Sequence, residues 1–477
     1  MMLRIKASTL WAIGILLSFS ACQSLRKVEK TANTDMPKSY NGSQDSTNTA
    51  QLNWKDYFTD PDLNAIIDLA LENNQELNVT LQEIEIAKSE VRDRKGEYLP
   101  YVGLKAGAGV DKVGRYTRNG ALEATTDIRP DQEFPEPLSD YMFGIEATWE
   151  IDFWKKLRNA KKAAVLRYLS SVEGKNFMVT NLVSEIASSY YELLALDNQL
   201  AILDRNIEIQ SNALRIVNLQ KQAAKATELA VKKFEAEVFG TQSLRFDTQQ
   251  SIIETENKIN FLVGRYPQSV KRNSETFADL LPKTISAGIP SQLLKNRPDI
   301  RQAELELAAS KLDVKVAKAR FYPSFGISAD IGFQAFDPNY LVRAPESVLY
   351  SLVGDLAAPL INRNAIKAAY ANANAKQMQA IFNYEKSILN GYIEVANQLS
   401  NIDNLAKSYD LKAQEVAALN ASINISNKLF RSARAEYMEV LMTQRDALES
   451  TFELIETKQR QMNAMVNVYR TLGGGWN

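Results

Sequence analysis

One cysteine and no histidine set the chemistry open to this chain of 477 residues. Without an imidazole, zinc triads of the usual kind, histidine acid–base catalysis and Ser-His-Asp triads are excluded. No pair of carboxylates stands out from the scattered Asp and Glu, and no nucleophile has a visible base partner. The chain therefore reads as no enzyme, with no catalytic, cofactor or metal site. The lone thiol has another use. Arg4 and Lys6 form a basic segment, Leu10 to Phe19 an apolar one, and Ser20-Ala21 place small side chains immediately before Cys22. That is the layout of a secretory signal ending at a cysteine whose sulfur takes a lipid.

The junction resembles the bacterial lipobox, with Phe19 where leucine is more usual, and Gln23 rather than aspartate after the cysteine implies release to the outer membrane. Residues 1–21 are read as signal peptide and residues 22–53, polar and rich in Ser, Thr and Asn, as a lipid-anchored flexible tether. Lysine plus arginine number 56 against 57 acidic residues, a balance that suggests neither a nucleic-acid binder nor a polyanion trap. No long apolar run follows the signal, so no membrane-spanning helix is expected. Lipid on Cys22 would be the one anchor visible by hydropathy, which leaves the alternating segments to be examined as a second.

The elements that position everything else are clearest between Pro290 and Phe336. Asn296-Arg297-Pro298-Asp299 starts a helix, because proline at the first helical position gives up an N–H that would go unpaired there anyway. Ile300, Ala303, Leu307, Val314 and Ala317 then mark one helical face. After Pro323 the period changes to two: Phe325, Ile327, Ala329, Ile331 and Phe333 alternate with small or polar residues, as in a strand with one oily face. Shifting the chain by 223 positions lays Pro323 on Pro100, Gly326 on Gly103 and Lys311 on Lys88, with no gap from Asn73 to Gly109. The chain reads as a tandem duplication, residues 54–287 and 288–477.

Each copy is expected to hold a helix, two strands and a long helical pair. The strands fall at about 101–149 in the first copy and 325–356 in the second, around a turn-rich loop from Asp111 to Pro137 and a shorter one from Asp337 to Glu346. No proline occurs from Leu138 to Tyr266 or after Pro359, as very long helices require. One helix from about Trp154 to Gln220 would measure roughly 100 Å at the usual rise. Strands of nine or ten residues with an oily face and aromatic ends suit a tilted transmembrane barrel. Four cannot close one, and an open edge is not tolerated in lipid. The expected fold is an α+β membrane protein: a duplicated unit with a long-helix α-barrel and a β-barrel completed by oligomerisation, with eight strands in a dimer or twelve in a trimer.

Four stretches together carry a family resemblance: P-S-Q-L-L-K-N-R-P-D-I-R-Q-A-E, the opening W-K-D-Y-F-T-D-P-D-L, Y-M-E-V-L-M-T-Q-R from Tyr437, and L-G-G-G-W from Leu472. They resemble the outer-membrane efflux lipoproteins of the NodT/OprM branch of the TolC family, over essentially all of the chain after the tether. The resemblance implies a homotrimer with a twelve-stranded barrel in the outer membrane, a hollow twelve-helix cylinder below it, and an equatorial collar. It also implies a passive efflux duct for small toxic compounds or drugs, docked on a periplasmic adaptor and an inner-membrane pump of the RND type. The alternatives are the duct of a type I protein secretion system and a periplasmic coiled-coil scaffold.

In such a duct the tip where the helices turn carries the interest. The two turns, Ala224-Lys225-Ala226-Thr227 and Ala433-Arg434-Ala435-Glu436, stand 209 positions apart, and their small residues suit tight turning and adaptor docking. The family usually has glycine where Ala224 and Ala433 stand, so stiffer turns are expected. Relatives close the tip with acidic residues; matched by motif, those positions are Glu439 and Met442, so one acid is kept and one replaced. Ala230 and Ala435 stand where relatives carry an aspartate and an arginine. A ring of Glu439 carboxylates would bias permeation, with Met442 as an apolar constriction and Phe430 and Tyr437 as further gate or packing candidates. Asn420, Asn424 and Asn427 share a helical face near the tip.

Overall fold

The computed structural model describes residues 30–40, 46–280, 286–432 and 434–476. Cys22 and Ala433, both singled out from the sequence, lie outside them. The described residues divide into two compact units, each drawing on both sequence repeats: those of Arg92–Ala164 and Leu307–Asn383 in one, and those of Thr34–Val91, Val165–Glu306 and Tyr384–Asn477 in the other. The repeats are thus units of sequence but not of packing. Strands from one repeat must hydrogen-bond to strands from the other, which no contiguous division of the chain allows.

In the first unit, strands β1 (Tyr101–Asp111), β2 (Leu138–Ile151), β3 (Ser324–Ala335) and β4 (Val348–Ala357) form an antiparallel sheet in the order β1-β2-β3-β4. The register carries the oily face straight across all four. Leu104 lies opposite Ile145, Ile145 opposite Ile331, and Ile331 opposite Tyr350. The next row runs Ala106, Phe143, Phe333 and Val348, with the two phenylalanine rings stacked at 5.2 Å. Nothing among the described residues covers this face: Leu104 is 89% exposed, Tyr350 81% and Leu352 77%. The β1–β2 loop is more ordered than the turn-rich sequence suggests. It holds a short helix, Arg118–Glu123, and a two-stranded ribbon, Asp127–Arg129 with Gln132–Glu133.

The longer helices are α1 (Pro61–Asn73), α2 (Gln75–Tyr98), α3 (Lys156–Gln222), α4 (Glu228–Val263), α5 (Pro298–Ala319), α6 (Asn364–Arg431) and α7 (Tyr437–Thr471). Asp60 caps α1 by accepting from Asp62 and Leu63, with Pro61 at the first position. This is the start its Asp-Pro-Asp sequence encodes. No described helix is long and apolar enough to span a membrane.

The core of the second unit gathers Tyr57, Leu63 and Ile67 with Ile186, Tyr190 and Leu193 of α3, Ile259 of α4, and Val466 and Tyr469 of α7. Tyr57 and Tyr469 stack at 4.1 Å, and each phenolic O–H donates to a backbone carbonyl, of Met465 and Leu52 respectively. Buried phenols are tolerated because both oxygens are satisfied.

Two joints in this unit repeat each other. Asn74 donates to the Leu262 carbonyl at 2.8 Å, and Arg297, 223 positions later, donates to the Thr471 carbonyl at 2.9 Å. Gly264 and Gly473 end α4 and α7 with positive φ, 76° and 91°, and each backs onto a carbonyl, of Asn73 and Asn296 respectively. Trp476 closes the second joint, its indole N–H donating to Gly473 at 2.8 Å. The R-P-D and G-G-G-W stretches are therefore two halves of one contact.

The expectation of a free tether fails for the described part of residues 22–53. Tyr40 is 3% exposed and stacks on Tyr392 at 5.4 Å. Asn48 bridges to Ala287, and Thr49 exchanges hydrogen bonds with Ser286. An aromatic ring and two short polar side chains give this stretch enough burial and hydrogen bonding to lie down as a strap.

Candidate functional site

The first helical turn, between α3 and α4, is locally closed. The Lys225 N–H donates to Gln220 at 2.8 Å and the Ala224 N–H to Lys221 at 2.9 Å, the doubled bond of a helix end with a left-handed residue. That residue is Ala224, at φ 55°. Thr227 then caps α4 by accepting from the Ala230 N–H at 3.2 Å. Lys221 and Glu228 pair across the turn, and the hydrogen bond from Lys221 holds the Glu228 carboxyl below its ordinary range. Behind them Val217, Ala230, Val231, Phe234 and Leu441 form a buried cluster, with Ala226 and Tyr437 packed against it.

The second turn, between α6 and α7, keeps the longer backbone bond, and among the described residues it has neither the side-chain cap nor the ion pair of the first. The Arg434 N–H donates to Leu429 at 2.9 Å, the same five-residue span as Lys225 to Gln220. Glu436 stands at the cap position but its side chain makes no cap bond. Adding 209 to the ion pair of the first turn gives Phe430 and Tyr437, so aromatic rings stand where the charges were. Tyr437, one of the gate candidates, is spent on packing; Phe430 is half-buried and Ala435 likewise.

Glu439 is exposed one turn into α7, and Met442, 49% exposed, follows on the same face. Val440 and Leu441 between them are buried at 2% and 7%. Among the described residues the Glu439 carboxylate has no hydrogen-bond or ion-pair partner; its bonds are made by the backbone, the oxygen accepting from the Thr443 hydroxyl and the N–H donating to Glu436. Asn420 and Asn424 are exposed and Asn427 is half-buried.

A second polar surface lies on the sheet. Every charged side chain of the four strands falls on the face opposite the oily one: Lys105, Asp111, Asp140, Glu146, Glu150, Asp330 and Asp355. Glu146 of β2 sits directly opposite Asp330 of β3, an unfavourable like-charge pair. Asp330 accepts from the Ser351 hydroxyl at 3.0 Å, and Glu150 pairs with Lys156 at 2.5 Å. Glycine and serine fill most of the remaining positions. An uncharged, aromatic-bearing face and a charged, small-residue face are what a wall between lipid and water needs. The alternation was visible in the sequence, whereas the carboxylate row across strands depended on register, which single strands do not reveal. The contrast between the two turns was latent in the 209-residue offset and could have been found by comparing cap positions.

None of this is catalytic geometry, and among the described residues no cluster of acidic, histidine or cysteine side chains could hold a metal ion. The comparisons with known proteins point to a channel. The model of the outer membrane efflux protein family matches residues 66–265 and 289–474. The pyoverdine export outer membrane protein OpmQ of Pseudomonas aeruginosa is 27% identical over 435 residues, covering 91% of this chain and 89% of that protein. The probable outer membrane lipoprotein SilC of Salmonella typhimurium is 24% identical over 98% of both chains. Among solved structures, the open state of the Neisseria gonorrhoeae MtrE outer membrane channel superposes with a TM-score of 0.82 over 94% of this chain and 97% of that one, at 20% identity. A chain matched along both repeats, with the fold of an outer-membrane channel and a sheet divided between oily and charged faces, belongs to the outer membrane efflux protein family.

Proposed function

We propose that this efflux channel is the passive outer-membrane duct of a tripartite assembly. It would work as a homotrimer, with a periplasmic adaptor docked at the hairpin tips and an inner-membrane pump of the RND type supplying the energy, and export small toxic compounds or drugs. The observation that carries the reading is the four-stranded sheet with both edges open. Because alternate strands are antiparallel, β1 and β4 run in opposite directions. The β4 edge of one copy therefore meets the β1 edge of the next antiparallel, and three copies close twelve strands without a lipid-exposed edge.

Relatives named for pyoverdine export and for toluene efflux handle small molecules, which supports small cargo over the protein cargo of a type I secretion duct. A coiled-coil scaffold would have no use for a sheet with one uncharged face. Single-particle imaging of the detergent-extracted protein tests the assembly: a three-fold hollow particle is expected, and a compact monomer or a solid rod overturns the reading.

Within this reading the exposed stripe of Glu439 and Met442 is the constriction, and residues Ala224, Lys225, Ala226, Thr227, Ala433, Arg434 and Ala435 are the docking turns. An unpaired carboxylate repeated three times around an axis raises local cation concentration. Reconstituted channels carrying Glu439→Ala should conduct cations less selectively than the unaltered protein; indistinguishable currents remove Glu439 from the gate.

A further inference from the structure

Where β2 and β3 meet their helices, the sheet ends in a corner that the export reading leaves unexplained. A cavity of about 170 Å³ there is lined by Phe153, Trp154, Lys156, Arg320 and Tyr322, among others. The Trp154 and Tyr322 rings stack at 4.7 Å, Phe153 meets Trp154 edge-on at 4.8 Å, and Phe153 reaches Phe325 of the oily face at 5.8 Å. The indole N–H of Trp154 donates to Pro323 at 2.7 Å, which fixes the ring. Phe153 is nevertheless 65% exposed and Tyr322 42%.

Cations gather at the same corner. Lys155, held at φ 60°, and Arg320, just past the end of α5, are both exposed, and neither has an ion-pair partner among the described residues. Helix α3 opens at Lys156 with no acidic residue in its first turn. Two carboxylates stand there and both are engaged: Asp152 accepts from the Leu157 and Arg158 N–H groups and from the Arg158 guanidinium, and Glu150 pairs with Lys156. These carboxylates answer the start of the helix, Lys156 and Arg158, and leave Lys155 and Arg320 without a counter-charge among the described residues. Because β2 and β3 are the central strands, both flanked within the chain, the corner is not spent on pairing between copies.

Exposed rings beside unpaired cations suit one environment, the boundary of a bilayer, where aromatic rings sit at headgroup depth and basic pockets take anionic headgroups. We propose that this corner binds an anionic phospholipid, with Lys155 and Arg320 on the headgroup phosphate and Phe153, Trp154 and Tyr322 against the glycerol and the first acyl carbons. The proposal rests on the reading of the oily face as lipid-facing.

The test uses the full-length protein in nanodiscs of equal parts phosphatidylglycerol and phosphatidylethanolamine, with co-purifying lipid counted by native mass spectrometry. The unaltered protein should retain phosphatidylglycerol preferentially, and Lys155→Gln with Arg320→Gln should lower that retention by about fivefold per removed cation, leaving phosphatidylethanolamine unchanged. Heat-resistant oligomer in SDS verifies that the variant is assembled; should it not be, Lys155→Gln alone gives the same readout from an exposed turn. Equal retention of both lipids by the unaltered protein, or unchanged preference in an assembled variant, overturns the site while leaving the barrel intact. A protein that holds no lipid and stays soluble without detergent overturns the lipid-facing reading itself.

Discussion

The two joints of the second unit were built from one plan and finished with different chemistry. In the first, neutral Asn74 donates to the end of α4 and accepts from the Leu77 N–H. In the second, Arg297 takes the same place against the end of α7, gripping both oxygens of Asp299, at 3.0 and 2.8 Å, and Glu394 at 2.7 Å. Arg297 is 4% exposed. Burial works against its charge, and the Asp299 and Glu394 carboxylates outweigh that, so its pKa is raised and it stays a cation. Duplication thus preserved the backbone contact, a helix C-terminus on the carbonyl of an asparagine, and left the side chain that stitches it free to change. The second joint gained reach, since one guanidinium ties the start of α5, the middle of α6 and the end of α7.

Removing the stitch should expose the difference. Arg297→Ala leaves two carboxylates without their cation in a largely buried site and is expected to cost about 3–5 kcal/mol. Asn74→Ala removes neutral bonds and should cost about 1–2 kcal/mol. Thermal unfolding midpoints of the two variants, measured side by side, check this. Equal shifts would mean that the charge adds nothing to the shared contact.

The glycines test the part that did not change. At Gly473 and Gly264 a methyl group would run into the carbonyl oxygens of Asn296 and Asn73, on backbones already at positive φ. Gly473→Ala and Gly264→Ala should each destabilise by about 1–3 kcal/mol, and by similar amounts. A tolerated substitution in one joint alone would show that the two backbones are less alike than their bonds suggest.

These joints also mark how far sequence reasoning reached. The duplication, the strand alternation and the long helices were legible because each is a local period or a repeat offset, and Pro61 and Pro298 do open their helices. The R-P-D and G-G-G-W stretches were legible as signatures, but their contact was not, since about 175 residues separate them and periodicity carries no information on pairing at that range. The strap is hidden from composition for a related reason. Its composition resembles a free tether, and only the partners Tyr392 and Ser286, far along the chain, make Tyr40 and Thr49 bury. At the turns, the alanine in place of glycine is legible at position 224, and the structure adds its left-handed conformation, while the replacement of an ion pair by aromatics needs the two turns laid side by side.

The smallest effect is expected at the first turn, and it separates backbone strain from local closure. Ala224 holds a left-handed conformation that glycine adopts freely and alanine pays for at roughly 1–2 kcal/mol. Glycine returns part of that gain through its greater freedom when unfolded. Ala224→Gly should therefore stabilise the turn by about 0.5–1 kcal/mol, seen as slower amide exchange at Lys225, whose N–H bond to the Gln220 carbonyl depends on the turn staying closed. The Thr227 cap and the Lys221–Glu228 pair would be untouched by the change. If exchange instead speeds up, those side-chain bonds rather than the backbone conformation hold the turn. The second turn, which among the described residues lacks both, would then be the looser of the two.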